Sequence, residues 1–300
     1  LGSLRGPTIS AIMNLPVLRP EHDGPGVYWA ATGVLDGWDG AKLQISRYGA
    51  NYVDSGVATK LRATIGELEA VLPVASRYGM SKTTEIKVKL NKLAAGLGGT
   101  DMLGLLRGDN AAAILRPDGT AEIIQFLTAT ETSPGKYTLG GILRGRMNTA
   151  PAAHAIGAKF VLLDGAVTFV PLRNEDSDTD IGFRAVSLGT KAEMNIGGGQ
   201  HVSKLMSMVE WAPGCVRADT SGGDLEITFS GRGRIGSSRI PVHSANFKEY
   251  RITVLQGTGG IEVQTRDQFV TIGGLTDYDS IRIVALSDVA ATFNSEEGDA

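Results

Sequence analysis

Apolar and polar residues alternate along much of this chain, and the alternation predicts β-strands rather than helices. The clearest case is Thr84–Leu90, where Ile86, Val88 and Leu90 alternate with charged or polar residues. A strand with one buried face has this period of two. A shorter alternation over Ala41–Ser46 predicts another strand of the same kind.

Turn residues divide the first two-thirds of the chain into short elements. Pro117–Gly119 is a strong turn signal, and it predicts a hairpin between strands at Ala112–Leu115 and Glu122–Leu127. Thr100–Leu106 is predicted to form one short helical turn, and Phe183–Leu188 a further strand. The 40 glycines favour many turns and short strands over long helices.

The stretch Lys136–Thr149 begins as an apolar strand and then breaks into an Arg-Gly-Arg sequence. Its glycine frees the backbone, so Arg144 and Arg146 leave a strand end and are suited to bidentate carboxylate contacts. Those contacts could form within the chain or with a neighbouring subunit, and a solvated basic corner is the alternative. A second hairpin is predicted at Phe160–Val170, with Asp164–Gly165 as its two-residue turn.

The C-terminal third alternates in short strands separated by turn residues, which is typical of a β-sandwich. The glycine run Gly197–Gly199 marks the approach to this region. Tyr278 precedes the last predicted strand and resembles the tyrosine corner of fibronectin type III domains. The predicted strands are Cys215–Ala218, Leu225–Ser230, Glu249–Leu255, Ile261–Thr265, Phe269–Ile272 and Ser280–Ser287.

The N-terminal segment is rich in proline and has few periodic apolar positions, which predicts an extended strap. We expect Ile9, Ile12, Leu15 and Val17 to be buried against an adjacent domain or subunit. Burial of each aliphatic side chain contributes about 1.5–3 kcal/mol, which offsets the entropy of ordering the strap. A disordered terminus is the alternative.

Composition suits a globular protein of several domains. The chain has 300 residues, of which 42% are hydrophobic and 20% charged. We predict an extended strap over residues 1–24, a β-rich domain over 25–205 and a fibronectin type III-like sandwich over 206–300. A net charge of -3 gives no overall signature of nucleic-acid binding. No apolar run reaches the length of a membrane span.

Cysteine usage and the first residues bear on where the protein is made. The single cysteine, Cys215, excludes an internal disulfide and suits assembly in a reducing cytoplasm. Residues 1–7 lack the apolar core of a signal peptide. Because they also lack a starting Met, we expect a fragment of a longer chain.

No motif reaches the specificity of a catalytic, cofactor or metal site. Gly231–Gly236 satisfies GxGxxG, but Ser237–Val242 is unsuited to the helix that would hold a pyrophosphate. Asp176, Asp178 and Asp180 resemble only the start of a calcium loop, since its glycine and glutamate are missing. The four histidines have no zinc-site spacing. We therefore expect no enzymatic activity, no cofactor and no metal.

Several segments together resemble a known family. The sequence YTLGGILRGRMNTA, followed by His154, Gly157 and FVLLD, resembles the strand–LLRGRRGT–FVLLD segment of siphophage tail hub proteins. These are the large tail-tip and baseplate hub proteins of phages and gene transfer agents. The chain departs from the family at Met147-Asn148, where Arg-Gly is usual. Further segments in the family's order are Thr8–Ala11 to Pro16, Tyr28–Ala31, Trp38–Ser46 and Leu106–Ala111.

The resemblance implies a fold and a role. The fold is mainly β, with a β-rich hub-type domain followed by a fibronectin type III-like β-sandwich. The role is that of a structural component of a bacteriophage tail tip or baseplate hub, which supports tail assembly and host attachment or DNA delivery. The location is the distal end of the tail in the virion, after assembly in the host cytoplasm.

The resemblance also implies partners, and the residues themselves supply candidates for an interface. The partners are other tail proteins (the distal tail protein, the hub and the tape measure), further copies in a homotrimer, and the host surface. The candidate interface residues are Arg144, Arg146, Arg232, Arg234, Trp29 and Trp38, the last arginine pair resembling a basic loop of the family's fibronectin-like domain.

Two other functions are compatible with the sequence. The first is a carbohydrate-binding or cell-wall-hydrolysing tail component, in which Trp29 and Trp38 would form a platform that stacks on sugars. Tryptophans of this kind are more often core or interface residues. The second is a cellular surface protein built of fibronectin-like modules.

Overall fold

A computed structural model describes residues 5–49, 51–190, 198–235, 243–287 and 298–299. The chain is mainly β, as predicted, and the only α-helix among these residues is one short helix of the first unit. It divides into two compact units. The first comprises Leu1–Leu15 and Pro25–Leu205, and the second comprises Pro16–Gly24 and Met206–Ala300.

The elements follow one another in short steps along both units. Those of the first unit are β1 (Thr8–Met13), β2 (Gly26–Gly33), β3 (Ala41–Arg47), β4 (Val53–Thr59), β5 (Ile65–Leu68), β6 (Ile86–Leu90), α1 (Met102–Arg107), β7 (Ala111–Leu115), β8 (Ala121–Ser133), β9 (Lys136–Arg146), β10 (Lys159–Leu162), β11 (Thr168–Pro171), β12 (Asp180–Ser187) and β13 (Gly198–Val202). Those of the second unit are β14 (Gly214–Asp219), β15 (Leu225–Ser230), β16 (Phe247–Gln256), β17 (Gly259–Thr265), β18 (Phe269–Ile272), β19 (Ser280–Ser287) and β20 (Gly298–Asp299). Short 3-10 helices occur at Pro20–His22, Asn174–Asp176 and Met206–Met208.

Six strands of the first unit close into an antiparallel barrel in the order β10-β5-β6-β9-β8-β7. The alternation predicted for β6 is confirmed, because Ile86, Val88 and Leu90 are buried while Lys87 and Lys89 are exposed. Side chains from all six strands fill a barrel of this size. The packed interior includes Leu68, Ile114, Ile124, Phe126, Leu139, Ile142 and Phe160.

Two further sheets belong to the first unit, in the orders β1-β2-β11 and β13-β12-β3-β4. The prediction of one extended strap over residues 1–24 is wrong, because Thr8–Met13 pairs along its whole length with β2. Residues 16–24 belong instead to the second unit. Leu15 and Val17 are buried without any other subunit, so their burial does not require a neighbouring copy.

The predicted hairpin at Phe160–Val170 is also wrong. Strand β10 pairs with β5 and β7, whereas β11 pairs with β2 in a different sheet. Closure of the barrel occupies both edges of β10, so neither edge remains for β11. Asp164 still makes a turn, since its carboxylate accepts a hydrogen bond from the Ala166 amide at 2.8 Å.

Local signals at the other connections are confirmed. Strands β7 and β8 form the hairpin predicted from Pro117–Gly119. The predicted helical turn is α1, where the carboxylate of Asp101 accepts a hydrogen bond from the Gly104 amide at 2.7 Å. Gly108 ends the helix with φ of 108°, a conformation that favours glycine.

The second unit is a β-sandwich of fibronectin type III-like form. A three-stranded sheet, β14-β15-β18, packs on a four-stranded sheet, β17-β16-β19-β20. All six strands predicted for this region are confirmed. Ile281, Ile283 and Ala285 of β19 face the core as expected, and Tyr278 packs against it. The core also contains Leu225, Ile227, Phe229, Tyr250, Ile252 and Val254.

Candidate functional site

A buried ion pair lies between neighbouring barrel strands, and it includes the first arginine of the Arg-Gly-Arg sequence. Glu122 on β8 and Arg144 on β9 are both fully buried. The Arg144 guanidinium donates two parallel hydrogen bonds to the Glu122 carboxylate, from Nε at 2.5 Å and from Nη2 at 2.7 Å. This bidentate arrangement is the strong form of the arginine–carboxylate contact.

The same pair fastens two loops at one end of the barrel, residues 69–85 and 147–158. Arg144 donates from Nη1 to the carbonyl of Pro73 at 2.9 Å and from Nη2 to that of Ala152 at 2.7 Å. Glu122 also accepts hydrogen bonds from the Ala152 amide at 3.0 Å and the Gly145 amide at 3.1 Å. We call Glu122, Arg144 and His154 the barrel clamp.

His154 completes the clamp from the second loop. Its Nε2 lies 2.9 Å from Glu122 Oε2, and its backbone forms an antiparallel bridge with Leu72 of the first loop. The amide of each of these residues donates to the carbonyl of the other, at 2.8 and 2.9 Å. The two loops are therefore joined directly by backbone and indirectly through buried charge.

Hydrogen bonding governs the protonation of Glu122. Burial alone would raise its pKa, but hydrogen bonds from Arg144, His154 and the Ala152 amide lower the pKa to about 2. The carboxylate is thus ionised throughout the neutral range, and its two oxygens are occupied by donors. A buried carboxylate of this kind is unsuited to act as a general acid or base.

The turn after β9 depends on unusual backbone geometry. Gly145 has φ of 58°, and a Cβ there would lie 2.8 Å from Pro151 Cδ. Met147 and Asn148 also have positive φ, and the Thr149 amide closes the turn on the Arg146 carbonyl at 3.1 Å. Two successive positive φ values are those of a type I′ turn, in which glycine or asparagine is preferred.

Arg146 makes a different connection from Arg144. It is half-buried, and its Nε donates to Gln125 Oε1 at 2.7 Å. The Gln125 amide in turn donates to the carbonyls of Leu105 and Asp109, at 2.7 and 2.9 Å. Arg146 therefore connects the end of β9 to helix α1.

The platform predicted from the two N-terminal tryptophans is wrong. Trp29 and Trp38 are buried within the first unit. Their indole N–H groups donate to the hydroxyls of Ser10 and Thr8, both at 2.8 Å. Because their ring faces are covered by this chain, neither tryptophan can stack on a sugar or form an interface with another protein.

The second Arg-Gly-Arg sequence lies in the second unit and buries its last arginine. Arg234 donates to the Ser207 carbonyl at 2.7 Å and to Asp23 at 2.6 Å, and its Nε lies 3.4 Å from Glu210. Arg232 is exposed, with its guanidinium 4.9 Å from the centre of the Trp211 ring. The interface prediction is thus wrong for Arg144 and Arg234, which are buried within the chain.

The remaining candidate motifs are the three aspartates of the calcium-like loop and the GxGxxG sequence. Asp176 is buried and accepts a bidentate contact from Arg47, at 2.9 and 3.0 Å, while Asp178 pairs with Lys204 at 2.9 Å. Within the described ranges, no group of three or more His, Cys, Asp or Glu residues could hold a metal ion. Residues 231–235 are irregular, and Gly236 lies outside the described residues. No helix in the described part of the chain is long and apolar enough to cross a membrane.

Sequence reasoning missed Glu122, and it placed His154 in the family-like segment without giving it a role. Glu122 precedes two isoleucines in an ordinary strand pattern, and His154 is one of four scattered histidines. Their meeting depends on the pairing of β8 with β9 and on the course of the following loop. The one available signal for Glu122 was an acidic residue at the start of an apolar strand that precedes the arginine-bearing strand in the sequence.

Two comparisons with known proteins found a match, and one of them is confined to the barrel. No curated protein matches the chain. Among solved structures, the crystal structure of chicken CNTN1 FN1–FN3 domains covers 97% of this chain and 97% of its own, at 10% identity and a TM-score of 0.24. The family described as Rcc01698-like, C-terminal, matches residues 63–161. That range spans the barrel strands from β5 to β10, so the chain is similar to this family over its barrel and the clamp inside it.

Proposed function

We propose that this protein is a structural component of a bacteriophage tail tip or baseplate hub. One observation carries the proposal. The segment that resembles tail hub proteins contains Arg144, Gly145 and His154. All three residues contact one buried carboxylate, that of Glu122. This part of the resemblance therefore lies in a group of contacts that shapes a barrel and its loops, which suits a mechanical role.

The chemistry of the candidate residues supports the same proposal. Arg144, Arg234 and the two N-terminal tryptophans are occupied by contacts that hold the fold together. The barrel clamp is buried and its charged groups are hydrogen-bonded to one another and to backbone, and such networks rigidify the structure around them. We accordingly expect no release of fragments from peptidoglycan or polysaccharide by the purified chain, and turnover that one Asp or Glu substitution abolishes would contradict this.

The partners follow from the family resemblance alone. We propose a homotrimer at the distal end of the tail, in contact with the distal tail protein, the hub, the tape measure and the host surface. Since the N-terminal segment packs within its own chain, a trimer does not follow from its apolar residues.

Labelling of the assembled particle tests the proposal. An affinity tag would be placed on this chain in the phage genome that encodes it, and purified virions would be labelled with gold and reconstructed by electron cryomicroscopy. We expect label at the distal tail tip and three copies in each tail. Virions without label, or label on the capsid or tail tube, would contradict a tail-tip role, and one or six copies would contradict the trimer.

A further inference from the structure

Three sheets of the first unit meet at Asn14 and His201. Asn14 follows β1 of the sheet β1-β2-β11, and His201 lies on β13 of the sheet β13-β12-β3-β4. The barrel contributes the turn between β7 and β8, where the Gly119 carbonyl accepts a hydrogen bond from the backbone amide of Asn14 at 3.0 Å. The same turn packs on the imidazole, since a Cβ at Gly119 would overlap His201 Cε1. We call Asn14 and His201 the sheet latch.

The side-chain amide of Asn14 has one satisfactory orientation. Its Oδ1 accepts a hydrogen bond from the backbone N–H of Lys204 at 2.9 Å. Its Nδ2 lies 2.9 Å from His201 Nε2 and 2.9 Å from the Val202 carbonyl oxygen. A flipped amide would set two donors against each other at Lys204 and two acceptors against each other at Val202. The amide nitrogen carries two hydrogens, so it donates one to each of its two neighbours.

This orientation determines the protonation state of His201. Because the Asn14 amide donates to Nε2, that nitrogen is unprotonated and the ring proton lies on Nδ1 of a neutral imidazole. Burial lowers the pKa of His201 to about 4, against an opposing effect of Asp118, so the imidazole is neutral at pH 7. A proton on Nε2 would face a second donor, and Asn14 cannot turn to accept it without losing its bonds to Lys204 and Val202.

The charged groups next to the latch are engaged elsewhere. On the β7–β8 turn, the Asp118 carboxylate accepts hydrogen bonds from the amide and the hydroxyl of Thr120, at 2.9 and 2.6 Å. Arg116, just before that turn, donates to the same hydroxyl at 3.4 Å. Beside β13, Lys204 Nζ donates to Asp178 at 2.9 Å.

The strands beside β13 present apolar side chains or an occupied ion pair to His201. Strand β12 places Ile181 directly opposite His201, and the centre of its Phe183 ring lies 5.9 Å from the centre of the imidazole. The residue opposite Ile181 on β3 is Arg47, whose guanidinium is paired with Asp176. Among the described residues, no carboxylate is hydrogen-bonded to His201, so a proton on Nε2 would gain no such partner.

The chain leaves the first unit beside the latch at two places. One part of the unit ends at Leu15, one residue after Asn14, and another ends at Leu205, one residue after Lys204. The hydrogen bond from the Lys204 amide to Asn14 Oδ1 therefore joins these two exits. Leu205 is buried with φ of 41°, a conformation that is unfavourable for a branched side chain and persists only where the surroundings hold it.

We propose that the sheet latch is released by protonation of His201, which separates the imidazole from Asn14 and loosens both exits while the barrel stays folded. The segments that loosen are residues 14–15 and 201–205. The strained backbone at Leu205 favours this release once its support is lost. The inference concerns the first unit alone and holds whether or not the tail assignment is correct.

The direction of the pH dependence follows from the two states of the latch. His201 stays neutral down to about pH 4 while the latch is closed, whereas in the released state it takes up a proton near the ordinary value of 6.5. The released state is therefore favoured as the pH falls from 6.5 to about 4, by up to about tenfold for each pH unit. The barrel clamp acts in a lower range, because the contribution of Glu122 is lost only below pH 4.5.

The tautomer of His201 gives a first test on the unmodified full chain. Long-range proton–nitrogen NMR of the chain labelled with 15N-histidine distinguishes a proton on Nδ1 from one on Nε2. We expect the proton on Nδ1 at pH 7 and a titration midpoint near 4. A proton on Nε2 at pH 7, or a midpoint near the ordinary 6.5, would overturn the inference.

Hydrogen exchange of the full chain tests the release itself. Peptides that cover residues 14–15 and 201–205 should lose protection as the pH falls from 6.5 to about 4, after correction for the intrinsic exchange rate at each pH. Strand β6 is the internal reference and should keep its protection above pH 4.5. His201→Gln supplies an acceptor for Asn14 that does not titrate, so it should remove the pH dependence. The same pH dependence in His201→Gln would overturn the inference.

Asn14→Asp should reverse the response, which a merely structural role of Asn14 would not produce. The new carboxylate accepts a hydrogen bond from protonated His201 and still accepts one from the Lys204 amide. We expect the titration midpoint of His201 to rise above 6.5 in this variant, and acid then to strengthen the latch. Asn110→Asp is the matched control, because Asn110 also donates to backbone carbonyls of the first unit but makes no bond to His201. An unchanged midpoint in Asn14→Asp, or an equal rise in Asn110→Asp, would overturn the inference.

Discussion

The barrel and the sandwich each bury one arginine of an Arg-Gly-Arg sequence, but they do so in different electrostatic surroundings. In the barrel, Arg144 meets Glu122 at 2.5 and 2.7 Å, and backbone amides and His154 complete the carboxylate's contacts. In the sandwich, Arg234 approaches Glu210 only at 3.4 Å and makes its closer charged contact with Asp23.

The two glutamates respond oppositely to these surroundings. Hydrogen bonds overcome burial at Glu122 and lower its pKa to about 2. At Glu210, burial exceeds the opposing effects of Ser244 and Arg234, and the pKa is raised. The comparison shows that an arginine nearby does not by itself keep a buried carboxylate ionised, because the number and geometry of the hydrogen-bond donors decide.

The largest expected effect is the loss of Arg144. Arg144→Met leaves the Glu122 carboxylate buried without its main partner, and such a change typically costs about 3–5 kcal/mol of unfolding free energy. The change in unfolding free energy of the first unit would be measured by urea denaturation, with pulsed hydrogen exchange and mass spectrometry as the readout. Loops 69–85 and 147–158 should lose protection first.

The exposed pair Lys42–Asp54 provides the matched control. Its charged atoms lie 3.1 Å apart, but both side chains are substantially exposed. Lys42→Met should therefore change stability by less than about 1 kcal/mol. Equal effects of Lys42→Met and Arg144→Met would contradict a special role for the barrel clamp.

The stabilities of the two units should depend on pH in opposite ways. Because the folded-state pKa of Glu122 lies below the ordinary 4.5, its contribution is present above pH 4.5 and is lost as pH falls towards about 2. The loss is on the order of 3 kcal/mol. Because the pKa of Glu210 is raised, its contribution is present below 4.5 and is lost as pH rises through the folded-state value.

Urea unfolding would be carried out at a series of pH values. Hydrogen-exchange labelling, always at the same pH, would then report the unfolding free energy of each unit separately. Between pH 4.5 and about 2 the barrel should lose stability through Glu122, and Glu122→Gln should flatten this part of its profile. Glu210→Gln should instead flatten the sandwich profile at higher pH. A barrel whose acid dependence is unchanged in Glu122→Gln would show that Glu122 is not the group responsible.

A smaller effect is expected in the sandwich. Arg234→Met removes hydrogen bonds to the Ser207 carbonyl and to Asp23, which is half exposed and can be rehydrated. Glu210 can respond by taking up a proton. The cost should be about 1–3 kcal/mol, below that of Arg144→Met. Unfolding of the second unit measures it, and a cost above that of Arg144→Met would reverse the comparison.

The strands could be predicted from the sequence because their signals are local. Alternation in β6, turn residues between β7 and β8, and the short strands of the sandwich each specify their own element. The fate of β10 could not be predicted in this way, because both of its edges are taken by strands that are distant in sequence. Asp164–Gly165 gives a turn, but it does not determine which sheet the chain enters next.

Only part of the candidate site could be predicted from the sequence, for the same reason. Arg144 was identified, but its partner Glu122 lies 22 residues earlier on an apolar strand. Trp38 is buried, and its indole N–H donates to Thr8, 30 residues away. Residue type and spacing identified the side chains that donate hydrogen bonds, Arg144 and Trp38. The groups that accept these hydrogen bonds depend on strand register, which a single sequence does not specify.

The smallest expected effect concerns the turn after β9. Asn148 has φ of 64°, a region where glycine is free of strain. Asn148→Gly should change the unfolding free energy by less than about 1 kcal/mol, whereas Gly145→Ala should be clearly destabilising because its Cβ would meet Pro151. Thermal unfolding of both variants would test this, and tolerance of Gly145→Ala would contradict the close approach at that turn.

A double-mutant cycle on Glu122 and Arg144 tests most directly whether the tail-hub-like segment forms a structural clamp. Glu122→Leu, Arg144→Met and the double variant would be compared by urea unfolding of the first unit. We predict a coupling of about 3 kcal/mol or more, with the double variant at least as stable as either single variant, because neither charge is then left buried alone. A coupling below about 0.5 kcal/mol would contradict the clamp.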